Sequence, residues 1–297
     1  MFEDTNLKSI AGAIFSCLLW STAFVGIKIG LKYTSPFFFA GARFTLSGII
    51  LFLISGNIKN YFKQVKKHFS TIIKVSLLQT FIVYALFYTG IAIVSGALSA
   101  IVIGSSPLTA AVVAHLTTQD DKMSLKKSAS IFIGILGIIV IALSRKPWSV
   151  EGLNELGGIF LLLLSTISGA LGNVAVSKAK KSVPSRILAS SQLFLGGLGL
   201  LSLSFLVEGL PSISNSPVQF YLALAWLALL SAIAFNIWFH LLKQGIKVSD
   251  LNLWKFIIPV FGALLSWILL PNENPTIATL TGMLFVAGSI ISYYYHK

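Results

Sequence analysis

Residues 157–177, GGIFLLLLSTISGALGNVAVS, contain no charged side chain from end to end. About 20 apolar residues in a row are what an α-helix needs to cross a hydrocarbon core of roughly 30 Å, since lipid offers no partner to an unpaired backbone group. Read outward from there, comparable stretches lie near residues 9–31, 35–55, 71–93, 97–117, 127–144, 186–207, 218–242, 249–270 and 277–295. The sequence thus predicts an all-α integral membrane protein of ten transmembrane helices. Composition agrees: of 297 residues 56% are hydrophobic and 10% charged, a balance that a water-soluble surface could not carry. Breaks between spans fall at Pro36, Pro147, Pro184, Pro211 and Pro271, and two tight hairpins are expected, at Ser95-Gly96 and at Lys247-Val248.

The charge distribution sets the orientation. Lys and Arg outnumber Asp and Glu 22 to 9, and the surplus collects in short loops beside apolar spans. With the N-terminus in the cytoplasm, clusters such as Lys59 to Lys67, Lys122 to Lys127 and Lys178 to Arg186 fall inside, against Lys32, Arg145 and Lys146 outside. The positive-inside rule therefore predicts both termini in the cytoplasm and removes the need for nucleic acid as a partner. Lys59, Lys63, Lys66 and Lys67 recur at helical spacing opposite Phe62, Val65 and Phe69, which predicts a short helix on the inner leaflet. The acidic start, Glu3-Asp4, is unlike a secretory leader, so the first apolar run is expected to stay as a helix. Cys17, the single cysteine, can form no intrachain disulfide.

The two halves of the chain can be laid on each other. Gly12-Ala13-Ile14-Phe15 matches Gly157-Gly158-Ile159-Phe160, and Pro107 in the fourth span meets Pro259 in the ninth at an offset of 152 residues. Carried outward, that offset pairs His115 with Trp267 and Asp121 with Glu273. A unit with an odd number of spans must enter the membrane from opposite sides in its two copies. The expected plan is two inverted five-helix repeats, 1–150 and 151–297, around a central cavity, an arrangement suited to alternating access.

Further residues carry a resemblance. Leu18-Leu19-Trp20-Ser21-Thr22-Ala23-Phe24, Ala42-Arg43-Phe44 near the start of the second span, and the two proline-centred spans that end in acidic residues resemble the EamA-like transporters of the drug/metabolite transporter superfamily. The resemblance runs over essentially the whole chain. It implies a ten-helix inverted-repeat fold, a cavity lined mainly by the first, third, fourth, sixth, eighth and ninth spans, and export, as for many members. Two departures stand out: Gln119-Asp120-Asp121 replaces a Gly-Glu pattern, and Lys255 is an uncommon charge in the ninth span.

Polar side chains inside a span are costly unless they face the bundle interior or water, so each is a candidate for the solute site. In the third span Thr80, Tyr84 and Tyr88 repeat every four residues and are expected on one helix face. The offset maps Tyr84 onto Asn236 and Tyr88 onto His240, pointing to one shared chamber. Trp20 and Thr22 in the first span, Asn173 in the sixth, and Trp254 and Lys255 one turn before Pro259 complete the expected solute-binding set. Pro107 and Pro259 are expected to break their helices and free a carbonyl, giving local gating points. Arg43 is expected to serve structurally, reaching the external interface or bonding carbonyls of a neighbouring helix.

An aromatic, amide-rich lining with one or two cations and no inner acid suits zwitterionic or anionic amphipathic metabolites, amino acids above all. A multidrug exporter of lipophilic cations, which would want a carboxylate, is the alternative. No acid falls deep in a span, so facilitated or weakly coupled transport is expected, with His240 the well-placed neutral-range titrator. No metal, cofactor or enzyme motif such as HExxH or Gly-x-Ser-x-Gly is present in the sequence. The expected partners are a small-molecule solute and membrane lipids, in a bacterial inner membrane. The oligomeric state stays open, a single chain being compatible with the plan.

Overall fold

The computed structural model describes residues 7–93, 102–143, 152–179, 183–209, 216–269 and 277–295, and all regular structure among them is helical. The expected hairpin at Ser95-Gly96, the breaks at Pro147, Pro211 and Pro271, and Glu273 lie outside the described residues.

The helices are α1 (Leu7–Gly30), α2 (Pro36–Leu53), α3 (Ile58–Lys67), α4 (Phe69–Ser76), α5 (Ile82–Ile93), α6 (Ser106–Thr117), α7 (Leu125–Leu143), α8 (Gly152–Ser177), α9 (Ser185–Val207), α10 (Val218–Lys243), α11 (Val248–Leu253), α12 (Ile257–Leu269) and α13 (Ile277–Tyr295). A π-helical turn, Leu77–Phe81, joins α4 to α5, and a 3-10 turn, Trp254–Phe256, joins α11 to α12. Six stretches among the described residues are long and apolar enough to cross a membrane: Leu7–Ile27, Pro36–Leu53, Phe69–Ile93, Leu156–Ser177, Ser185–Val207 and Val218–Lys243. The chain is an all-helical integral membrane protein.

Local chemistry sets the helix ends. Pro36 opens α2, where its missing N–H costs nothing and its fixed φ suits the first turn. The Ser35 side chain makes no cap there. Instead Glu208, just past the end of α9, accepts the N–H groups of Phe37 and Phe38 at 2.9 and 3.1 Å. The basic helix α3 starts on Asn57, whose side chain accepts from Asn60 N. Its buried anchor is Tyr61, bonded to the hydroxyls of Ser190 and Ser191, while Phe62 and Phe69 stay exposed. Of the apolar face expected to meet lipid, Phe62 and Phe69 are thus exposed and Val65 is half-buried.

Packing concentrates on a few helix pairs: α2 with α9, α7 with α13, α1 with α10, and α5 with α8. Without a hydrophobic driving force between helices in lipid, close backbone approach matters more than bulk. At the α2–α9 crossing a Cβ added to Gly197 would stand 2.5 Å from the backbone nitrogen of Thr45. On Gly137 of α7 it would stand 2.6 Å from the Gly282 carbonyl of α13. The largest buried cluster runs through the middle of the bundle and takes in Phe44, Tyr88, Phe235 and Trp238, with Trp20, Tyr84 and Trp254 partly buried against it.

Candidate functional site

Three polar groupings lie among the packed helices. The first is built on Lys255, in the 3-10 turn that leads into α12. Its ammonium stands 5.2 Å from the ring centroid of Trp238 and 5.8 Å from that of Trp20, close enough for cation–π attraction. Trp20 in turn meets Trp238 edge-on at 5.0 Å and Phe235 at 5.6 Å. The side chain is half-buried, and no carboxylate pairs with it among the described residues. Pro259 lacks the N–H that an α-helix would send to the Lys255 carbonyl, so the chain tightens just before it.

Beside this cation lies a buried amide network. Asn173 of α8 accepts from Gln79 Nε2 at 2.7 Å and from Trp238 Nε1 at 3.3 Å, and donates to Asn252 Oδ1 at 3.2 Å. Asn252 donates to the Val248 carbonyl. Four separate elements thus meet at one side chain, and Trp238 belongs to both groupings.

The third grouping surrounds Arg43. Its side chain is 2% exposed, and its guanidinium carbon lies 4.3 Å from the Phe44 ring centroid and 5.6 Å from that of Tyr84. Its Nε and Nη1 are buried without a hydrogen-bond partner.

The structure separates other residues of the expected set. Thr80 is buried and donates to Gln192 Oε1 of α9 at 2.6 Å, while Tyr84 lies against Phe44 of α2. Thr22 bonds the Leu19 carbonyl and accepts from the exposed Trp226 at the α1–α10 contact. His240 is exposed and pairs with Gln244 one turn on, while Asn236 is half-buried. Pro107 lies at the start of α6, where no α-helical N–H is missed, and the interruption falls at Ser105, whose hydroxyl bonds the Val102 carbonyl. Gln79, Gln192 and Asn252 were not singled out from the sequence, although the rule for polar residues inside apolar spans applies to all three. For Trp238 no local signal separates it from a packing residue.

A groove of about 400 Å³ between α4, the π turn and α9 is lined by Ile73, Leu77, Phe81 and Leu206 among others. It opens among exposed apolar side chains and contains none of the three groupings.

The sequence profile of the EamA-like transporter family matches the chain twice, over residues 7–143 and 156–295. The chain belongs to the EamA-like transporter family, and it is a membrane transporter of the drug/metabolite type. An uncharacterized transporter of Bacillus subtilis, YoaV, is 25% identical over 96% of each chain. The S-adenosylmethionine/S-adenosylhomocysteine transporter of Chlamydia muridarum is 24% identical, over 93% of this chain and 87% of that one. A chain from a solved crystal structure superimposes with a TM-score of 0.78 over 98% of both chains, at 17% identity, which speaks to the fold alone.

Proposed function

We propose that the protein is a carrier that exports amino acids or related amphipathic zwitterions and anions across a bacterial inner membrane, both termini lying in the cytoplasm. Two inverted five-helix repeats, 1–150 and 151–297, would exchange conformations in alternating access. The packing supports this duplication. Laid on each other, the halves make α1 the counterpart of α8, α2 of α9, α5 of α10 and α7 of α13. The α2–α9 and α7–α13 contacts then map onto themselves, and α1–α10 maps onto α8–α5. A family profile that matches once in each half supports it too.

The observation that carries the solute class is Lys255, a cation at two indole faces with no acid paired to it among the described residues. A solute carboxylate would meet the ammonium, and an apolar or aromatic side chain would lie on Trp20 and Trp238. S-adenosylmethionine and S-adenosylhomocysteine, named for the chlamydial relatives, are themselves α-amino acids. A lipophilic cation fits less well, because Lys255 already holds positive charge against the rings. The buried acids Asp121 and Asp250 are engaged with Lys127, which favours facilitated or weakly coupled movement.

The test is thermal unfolding of detergent-purified protein with single metabolites, followed by flux in proteoliposomes. Apolar and aromatic amino acids should raise the midpoint of the wild type and leave Lys255→Gln unmoved, since only a bound folded state gains stability. Stabilisation by tetraphenylphosphonium and by no amino acid would overturn the reading. Steep dependence on a pH gradient that survives His240→Ala would overturn weak coupling.

A further inference from the structure

We infer that Arg43, Tyr84 and Tyr88 form a second binding point, for a carboxylate, separate from Lys255. Arg43 and Tyr88 are each 2% exposed. Guanidinium Nε and Nη1 and the Tyr88 hydroxyl are all buried without a hydrogen-bond partner. Buried polar groups in folded proteins are paired almost without exception, and buried charges above all. Among the described residues no carboxylate pairs with Arg43. Unlike a lysine, an arginine cannot escape the cost of burial by giving up its proton. The rings of Phe44 and Tyr84 offset part of that cost and leave the N–H donors unanswered.

Donors without acceptors define the missing chemistry. A small planar oxyanion between Arg43 and Tyr88 would accept from the guanidinium and from the phenol, and would balance the charge. A carboxylate fits this better than a bulkier tetrahedral anion, because aromatic rings close in on both sides: Tyr84 stands 4.4 Å from Phe44 and 6.4 Å from Tyr88, centroid to centroid. Ring contacts continue from Phe44 to Phe235 at 6.4 Å and on to Trp20 at 5.6 Å. A path of aromatic faces therefore links the Arg43 point to the Lys255 point. Solutes with two carboxylates on an apolar frame would use both ends, and those with one would have two stations along the route. The inference rests on the carrier reading for the route of entry, whereas the binding point itself rests on Arg43.

The probe is radiolabelled phenylacetate, an aromatic carboxylate with no ammonium, in equilibrium dialysis against the full chain in detergent. Two molecules should bind each wild-type chain and one each chain of Arg43→Gln or Lys255→Gln. At the site that remains in Lys255→Gln, Tyr88→Phe should weaken binding several-fold, and Arg43→Gln by tenfold or more, the loss of a charge-assisted bond. Tyr88→Phe removes a single hydroxyl and decides the matter if Arg43→Gln does not fold. One molecule bound per wild-type chain, lost in Lys255→Gln and unaffected by Tyr88→Phe, would sink this inference and leave the Lys255 reading standing. One molecule lost with Arg43 and indifferent to Lys255 would do the reverse. No binding by the wild type overturns both.

Discussion

The Asp121 carboxylate accepts the backbone N–H of Ser249 at 2.9 Å, so an acid in the turn after α6 caps the start of α11. The same carboxylate bonds the Ser249 hydroxyl and stands 2.7 Å from Lys127 Nζ. Lys127 lies 3.5 Å from Asp250, which also accepts from the Tyr293 hydroxyl of α13. Asp121, Lys127, Ser249 and Asp250 are all buried. One cluster thus ties α6, α7, α11 and α13 together at a single end of the bundle.

Removing one partner from such a cluster leaves the others charged and dry. Asp121→Ala is expected to destabilise the protein by about 3 kcal/mol, the low end for a broken buried pair, because Asp250 still faces Lys127. The paired change Asp121→Asn with Lys127→Met should cost less than the sum of its two parts. Thermal unfolding of the five proteins (wild type, Asp121→Ala, Asp121→Asn, Lys127→Met and the pair) in one detergent reads both outcomes, and additive losses would mean that the two charges do not act on each other.

Glu208 does at α2 what Asp121 does at α11. Its two oxygens take the first free N–H groups of α2 from across the α9 contact, where the local Ser35 side chain makes no bond. A negative charge also lies well at the positive end of a helix. Because Glu208 is only half-buried, Glu208→Gln should cost about 1 kcal/mol, with Glu208→Ala somewhat worse. Raising salt should shrink the difference between Glu and Gln, since part of it is unscreened charge. A salt-independent difference would assign the whole effect to hydrogen bonding.

These caps mark where reading the sequence stops short. Helix α9 was expected over 186–207 and runs Ser185–Val207, and α13 runs Ile277–Tyr295 against an expected 277–295, because an apolar run bounded by proline leaves little choice in lipid. The π turn at Leu77–Phe81 has no such local signature. Arg43 could be placed in its span but not provided with neighbours, since Tyr84 and Tyr88 come from α5 through tertiary packing alone. Trp238 looks in sequence like any aromatic in an apolar helix. Its role follows from the partners that α8 and the 3-10 turn bring to it, Asn173 and Lys255. Spans are set by each segment's own transfer into lipid. Sites are set by the register between segments, which a run of apolar residues does not encode.

Asn173 offers the sharpest separation of packing from function. Its carbonyl oxygen takes two donors and its amide nitrogen gives one bond, so Asn173→Leu keeps the branched heavy-atom skeleton while stranding Gln79, Trp238 and Asn252. Each stranded buried group costs about 1–3 kcal/mol, which predicts a strongly destabilised protein. Replacing Gln79 and Asn252 by Leu as well removes the stranded amides and should restore part of that loss, as apolar substitutes for a whole network often do. Stability regained without solute flux in proteoliposomes would mean that the amides act during the transport cycle. Stability and flux regained together would make the network scaffolding. An Asn173→Leu protein as stable as wild type would show that these bonds hold nothing together.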